Sequence, residues 1–243
     1  MPAGEPLKNI RIVLCEPSHP GNIGAAARAM KTMGLEQLYL VNPKRFPDPE
    51  ARWRASRATD VLDHAVICAS LDEALRDVAY AVACSARTRE IAVPAVTSRE
   101  AAVRAAEAAA MQSVALVFGN ETYGLTGAQV NACNLLASIP ANPDYSSLNL
   151  AAAVQVMTYE LRMTVLAPGA PSAQRVLATR AEVEGFYEHL QQVMTDIGFL
   201  DPEHPKKLMP RIRRLFARAE LEQEEVNILR GLLKALRNPV KRS

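Results

Sequence analysis

Short apolar runs alternate with helically spaced stretches through the first two thirds of the chain, and this alternation constrains the fold more than any other feature. The runs occupy residues 10–15, 38–41, 65–68, 80–84, 114–118 and 135–139. They are rich in Val, Ile and Leu and lack strict polar alternation, as expected of strands covered on both faces. Helical patterns lie between them. Residues 22–33 end at Gly34, placed as a C-terminal cap. Ser70 with Glu73 and Thr97 with Glu100 have capping-box spacing ahead of helical runs. Residues 149–166 read as a long, mostly apolar helix. Strand–helix alternation of this kind predicts an α/β fold built on a parallel, doubly wound sheet.

After Leu166 the pattern changes. Residues 167–172 (APGAPS) have the composition of a linker, and only helical spacing follows. Thr179 and Glu182 form another capping box, and an apolar repeat from Val183 to Ile197 stops at Gly198. A basic helix is expected over 206–219 with Leu208, Ile212, Leu215 and Phe216 as its apolar stripe. A last helix is expected over 222–236 with Val226, Leu229, Leu232, Leu233 and Leu236 inward. The chain therefore divides into a domain over 1–166, a linker over 167–178 and a small all-α extension over 179–243.

Net charge is only +2, with 28 basic against 26 acidic residues, so composition alone selects no partner. The distribution is more telling. Between His204 and Arg218 lie Lys206, Lys207, Arg211, Arg213, Arg214 and Arg218 without one acid. That run suits a polyanion, although a solvated helix face with snorkelling Arg stems reads equally well. Cys15, Cys68, Cys84 and Cys133 are scattered with no Cys-x-x-Cys pair, which argues against zinc and against a disulfide framework. No metal site is expected. Signal-peptide and membrane-length apolar patterns are absent from the sequence, and a soluble cytoplasmic protein is the expectation.

In open parallel sheets ligands gather at the carboxyl ends of the strands, and three segments there carry chemistry. The first, EPSHPGNIGAAARAM (16–30), opens a helix with Pro20-Gly21-Asn22-Ile23-Gly24. Glycines permit close approach of backbone to a ligand, and a helix start favours anions. Arg28, less than two turns after Asn22, is placed to reach a phosphate, or is simply an exposed arginine. The second, LVFGNETYGL (116–125), sets Gly119 after a strongly apolar strand and Glu121 in the loop beyond. The third, residues 139–161, runs from Ile139 through a loop with Ser146, Ser147 and Asn149 into the long helix. Ser147 or Asn149 is a candidate N-cap. Neither a dinucleotide Gly-x-Gly-x-x-Gly nor a P-loop is present, which disfavours a nicotinamide oxidoreductase or an NTPase.

Together NIGAAARAM, FGNETYGL and YSSLNLA resemble the SPOUT (SpoU–TrmD) methyltransferases, in particular the branch that methylates ribose 2′-hydroxyls of tRNA. The ending RRLFARAELEQEEVNILRGLL is similar to the C-terminal extension of that branch. The resemblance implies a deep C-terminal trefoil knot, a feature that periodicity does not reveal. It implies S-adenosyl-L-methionine as cofactor, held by Cys84, Ser85 and Ala86, by Gly119, and by Ile139 with Ser146, Ser147 and Leu148. It further implies a homodimer whose active site borrows residues across the interface, and a tRNA substrate methylated at nucleotide 32, on C, U or both. Arg28 is the expected support for the reacting oxygen, with Asn22 and Glu121 orienting it and Ser147 and Asn149 lining the pocket. Arg28, Arg87, Arg89 and the basic run from Lys206 to Arg218 are the expected RNA contacts. One departure is visible: relatives often carry Arg where this chain has Asn120, and sometimes also where it has Thr122. A ribosomal-RNA ribose methyltransferase shares all three motifs and is the nearest alternative. A non-catalytic RNA-binding module would need the basic patches but not the serine–asparagine loop.

Overall fold

The computed structural model describes residues 5–86, 93–167 and 176–237. Seven strands form one sheet: β1 (Ile10–Cys15), β2 (Gln37–Val41), β3 (Val66–Cys68), β4 (Tyr80–Cys84), β5 (Ala95–Thr97), β6 (Val114–Phe118) and β7 (Leu135–Ser138). Their order is β3-β2-β1-β6-β4-β7-β5, and every neighbouring pair is parallel. The parallel sheet explains the unbroken apolar runs. All six residues of β1 are buried, and they alternate between two cores. Ile10, Ile12 and Leu14 face one core, while Val13 and Cys15 face the other.

The helices of this part are α1 (Pro20–Met33), α2 (Pro49–Ala55), α3 (Thr59–Asp63), α4 (Leu71–Leu75), α5 (Ser98–Ala109), α6 (Gly127–Asn131) and α7 (Leu150–Leu166). The Ile10 face is covered by α1, α2, α5 and α7, and the Val13 face by α4 and α6. Gly34 closes α1 at φ 82°, where a side chain would strain the backbone. Thr97 and Glu100 make the reciprocal capping box at α5. Three short helices (α2, α3, α6) and the three-residue strand β5 escaped the sequence reading. Segments of three to seven residues are too short to show a period, and β5 is defined by its pairing with β7 rather than by its own apolarity.

Three helices follow: α8 (Arg180–Asp196), α9 (Leu208–Ala217) and α10 (Gln223–Arg237). They close on a small core that includes Phe186, Tyr187, Val193, Val226 and Leu233. Phe186 meets Phe216 edge to face at 4.9 Å between ring centroids. Two expectations need correction here. Leu215, Leu232 and Leu236 are exposed rather than core, because three helices bury only the side of α9 and α10 that faces α8. Arg213 is turned inward: it makes bidentate hydrogen bonds to Glu184 at 2.6 and 2.8 Å, and its guanidinium lies 4.4 Å from the centre of the Tyr187 ring.

This helical unit docks at the amino-terminal edge of the sheet. The Arg180 amide donates to the Val78 carbonyl at 2.8 Å, just ahead of β4. The Gln112 side chain, just ahead of β6, donates to the Leu177 carbonyl and accepts from its amide, both at 2.6 Å. The Tyr80 hydroxyl donates to Glu220 at 3.2 Å. Among the described residues no helix is long and apolar enough to cross a membrane.

Candidate active site

At the opposite, carboxyl-terminal edge, the four adjacent strands β1, β6, β4 and β7 release their loops side by side. The last three surround an open cavity of about 140 Å³. Its wall is Cys84, Ser85 and Ala86 after β4, Gly119 to Thr122 after β6, Ile139 after β7, and Ser146, Ser147 and Leu148 ahead of α7. All the residues expected to hold the cofactor therefore meet in one place. Phe118, Ala137, Leu150 and Ala153 also line it. They read in the sequence only as core positions, with nothing to mark them as pocket.

Gly119 is required by close packing. A Cβ there would lie 2.1 Å from the Gly124 carbonyl carbon and 2.3 Å from the Leu125 nitrogen. The loop 119–124 folds back on itself in a tight hairpin, with the Gly124 amide donating to Asn120 at 2.8 Å. Asn120 is only 6 % exposed; its amide donates to the Glu16 carbonyl at 2.8 Å, and its oxygen accepts from Thr122 at 2.8 Å. Asn120 thus ties the second motif to the first.

Glu121 extends that tie. One carboxylate oxygen accepts from the Ser18 amide at 2.9 Å and the Ser18 hydroxyl at 2.7 Å. The other accepts from the His19 amide at 3.2 Å and the Asn22 side chain at 3.0 Å. Asn22 in turn accepts from the Asn149 amide at 3.0 Å, and Asn149 caps α7 by accepting from Ala151 at 2.9 Å. Three chain-distant motifs are thereby joined in one hydrogen-bonded line. Ser18, which sequence reasoning missed, is the partner that fixes Glu121; nothing in its local sequence signals this.

These contacts revise the local expectations. The anion at the start of α1 is the protein's own Glu121 carboxylate, so that helix start is not a vacant phosphate site. Gly24 serves helix packing rather than ligand approach, since a Cβ there would lie 2.0 Å from the Ala51 carbonyl oxygen on α2. Glu121 and Asn22 orient the β1–α1 loop and make no hydrogen bond to Arg28. Arg28 is exposed and does not line the cavity; six residues beyond Asn22, it points about 120° away around the helix. Among the described residues its guanidinium enters no hydrogen bond or ion pair. Asn149, not Ser147, is the N-cap, which leaves the exposed Ser147 hydroxyl uncommitted on the wall. Arg87 and Arg89 lie outside the described residues. Lys207, Arg211, Arg214 and Arg218 recur at helical spacing along one exposed side of α9, and Lys206 precedes it; this side lies at the far edge of the sheet from the cavity.

Two titratable groups on the wall are shifted by their surroundings. Burial alone would raise the Glu121 carboxyl, but hydrogen bonds from Asn22 and Ser18 prevail and hold it at about 2. Burial pushes the Cys84 thiol well above its ordinary range, so it stays neutral. The described lining residues include no Lys or Arg, and Glu121 is their one carboxylate.

The Glu121 linkage gives a pH prediction. A carboxyl lowered on folding stabilises the fold fully above about 4.5 and loses that contribution as pH falls toward about 2. In thermal melts, the margin of the wild type over Glu121→Gln is expected to shrink through that window. A margin that stays constant with pH would contradict the assignment.

Residues 9–159 match the SpoU rRNA Methylase family, and residues 181–243 match the family described as tRNA methyltransferase TrmJ, C-terminal domain. A tRNA (cytidine/uridine-2'-O-)-methyltransferase TrmJ from Photorhabdus laumondii is 47% identical over 234 residues, covering 95% of this chain and 97% of the relative. The crystal structure of TrmJ from Z. mobilis ZM4 superposes with a TM-score of 0.81 at 32% identity, covering 94% of this chain and 99% of that one. A more distant structure, an AdoMet-bound rRNA methyltransferase from Sinorhizobium meliloti, is 26% identical with a TM-score of 0.50, covering 65% of this chain and 57% of that one.

Proposed function

The chain belongs to the SpoU methylase family, and on that premise we propose that it transfers a methyl group from S-adenosyl-L-methionine to a ribose 2′-hydroxyl of tRNA. Substrate bases are C and U, and the position is nucleotide 32 of the anticodon loop. The observation that carries this reading is the line Glu121–Asn22–Asn149, which ties the first motif to the two that wall one cavity. Family membership also implies the trefoil knot in the catalytic part, residues 1–166, with the helical extension over 179–243 as an RNA-binding appendage.

The cavity fits the proposed cofactor. It is walled by a tight hairpin that only a glycine at 119 allows, it carries one committed carboxylate and a neutral thiol, and no described cation opposes a sulfonium. Gly119, Ile139, Leu148 and the segment from Cys84 to Ala86 would hold it. When bound, it supplies a methyl group on a positively charged sulfur, a leaving group already activated. The chain's own residues then align the ribose and stabilise its oxygen as the proton departs. Ser147 offers a free hydroxyl at the wall. Arg28 provides fixed positive charge rather than a base, since a guanidinium stays protonated. Its exposed, unpaired position fits a homodimer in which the site is completed across the interface. Asn22 and Asn149 keep the wall rigid.

The deciding experiment is labelled methyl transfer to unmodified tRNA, followed by mapping of the modified nucleotide. Label on ribose at nucleotide 32 supports the reading. Label only in ribosomal RNA, or no transfer together with no heat on titrating S-adenosyl-L-methionine, refutes it. Reversing Arg211, Arg214 and Arg218 to Glu together is expected to weaken tRNA binding at least roughly ten-fold and to flatten its salt dependence. Calorimetric binding of S-adenosyl-L-methionine should not change. Equal losses in both would mark the α9 face as structural.

A further inference from the structure

Trp53 is the only tryptophan in the chain, and it is 74% exposed on α2. The buried side of this helix is Ala51 and Ala55, so its largest ring stands in solvent while its smallest side chains face the core. The Arg54 guanidinium lies over the indole, 5.1 Å from the ring centroid. The nearby cations divide into two sets. Lys31, Arg45 and Arg52 are paired with Asp60, Asp48 and Asp63. Lys44, Arg54 and Arg57 form no ion pair among the described residues.

This surface adjoins the site. The α2 backbone at Ala51 rests on Gly24 of α1, and a Cβ on Gly21 would lie 2.6 Å from the Glu50 carboxylate and 3.6 Å from Arg54 Cγ. Asn22, the next residue, is bonded to Glu121 in the cavity wall. Arg28 follows Gly21 and Gly24 on the same side of α1, at i+7 and i+4. The Lys44 amide donates to the Pro17 carbonyl at 3.1 Å, which holds the loop before α2 against the loop that carries Ser18.

We propose that Trp53, backed by Arg54, is a stacking platform for an unpaired base of the substrate RNA beside the nucleotide that is methylated. The proposal rests on the tRNA-methylating reading above and adds the surface that grips the loop. An exposed ring with an unpaired guanidinium over one face suits single-stranded RNA: a flat partner for a base and positive charge for a phosphate. An apolar protein partner would instead be met by apolar neighbours, whereas Trp53 is flanked by Arg52 and Arg54.

Because Trp53 is the sole indole, its fluorescence reports on this surface alone. With the full-length protein, unmodified tRNA is expected to quench the emission, and a loop-free RNA duplex of equal length, at saturation, to leave it largely unchanged. Trp53→Ala is expected to raise the KM for tRNA roughly ten-fold, with S-adenosyl-L-methionine binding intact, and Trp53→Phe to recover most of the loss. Silent fluorescence at saturating tRNA, a wild-type KM in Trp53→Ala, or loss of self-association in that variant would each overturn the platform, the last by marking a protein contact. A wild type that methylates tRNA normally while Trp53 stays silent sinks only this proposal. A wild type that transfers no methyl group to any tRNA sinks the functional reading, and the platform with it.

Discussion

Arg28→Ala is expected to slow methyl transfer by roughly 10²–10³-fold, the usual cost of removing one donor aimed at a developing oxyanion. Cofactor binding and thermal stability should remain at wild-type values. The structure makes these two expectations separable. Arg28 is exposed, its guanidinium is tied to no described partner, and it is not part of the cavity wall, so neither the fold nor the cofactor site depends on it. Its loss should therefore appear in single-turnover transfer and hardly at all in calorimetry or melting. Arg28→Lys should recover little, because a point charge on a flexible stem does not reproduce a planar two-donor fork. Wild-type turnover in Arg28→Ala would remove this residue from the mechanism. Lost cofactor binding would mean that it supports the wall after all.

The second large effect is expected at Gly119. Its replacement by Ala puts a Cβ into the backbone of Gly124 and Leu125, where no flexible side chain is available to yield. The hairpin must open, and Asn120 and Glu121 move with it. Glu121 in turn positions Ser18, His19 and Asn22. Cofactor affinity is expected to fall at least roughly a hundred-fold, because the added methyl displaces the whole 119–124 wall and the loop anchored to it rather than one contact. Overpacking of this kind costs roughly 1–3 kcal/mol, and in a chain of this size each kcal/mol lowers the melting midpoint by roughly 2–4 °C. Gly127→Ala is the control: no atom lies within 4 Å of a Cβ there, and the position is helical. It should melt no lower than wild type and bind cofactor normally. If both variants behave alike, crowding at Gly119 is not what shapes the cavity.

Much of this architecture was readable beforehand, for identifiable reasons. The runs at 10–15 and 114–118 announce strands because both their faces are buried, so the apolar pattern is continuous. The boxes at Thr97 and Thr179 are local signals spanning three residues. Gly119, Ile139 and Ser147 belong to one cavity by the motif triple, not by periodicity, which carries no information about which loops meet. What stayed hidden was long-range. Glu121 reads as a partner for Arg28, yet it binds Ser18 and Asn22, which lie 103 and 99 residues away. Such pairings depend on strand order, and β6 lies beside β1 only because the intervening chain crosses over. The exposure of Leu215, Leu232 and Leu236 was equally invisible, since a stripe shows that a helix has an apolar side but not how much of it three helices can cover.

The hydrogen bond between Asn149 and Asn22 bridges 127 positions along the chain. A ribosome that has released only the first half of this protein has made β1, the whole of α1 and the loop of Glu121, but not Asn149 or the rest of the third motif. The donor pocket is born late, with the stretch that begins α7, and partial folds have none. If the proposed cofactor binds there, affinity for it is a gauge of completion: only a chain that has joined all three motifs has the cavity whole.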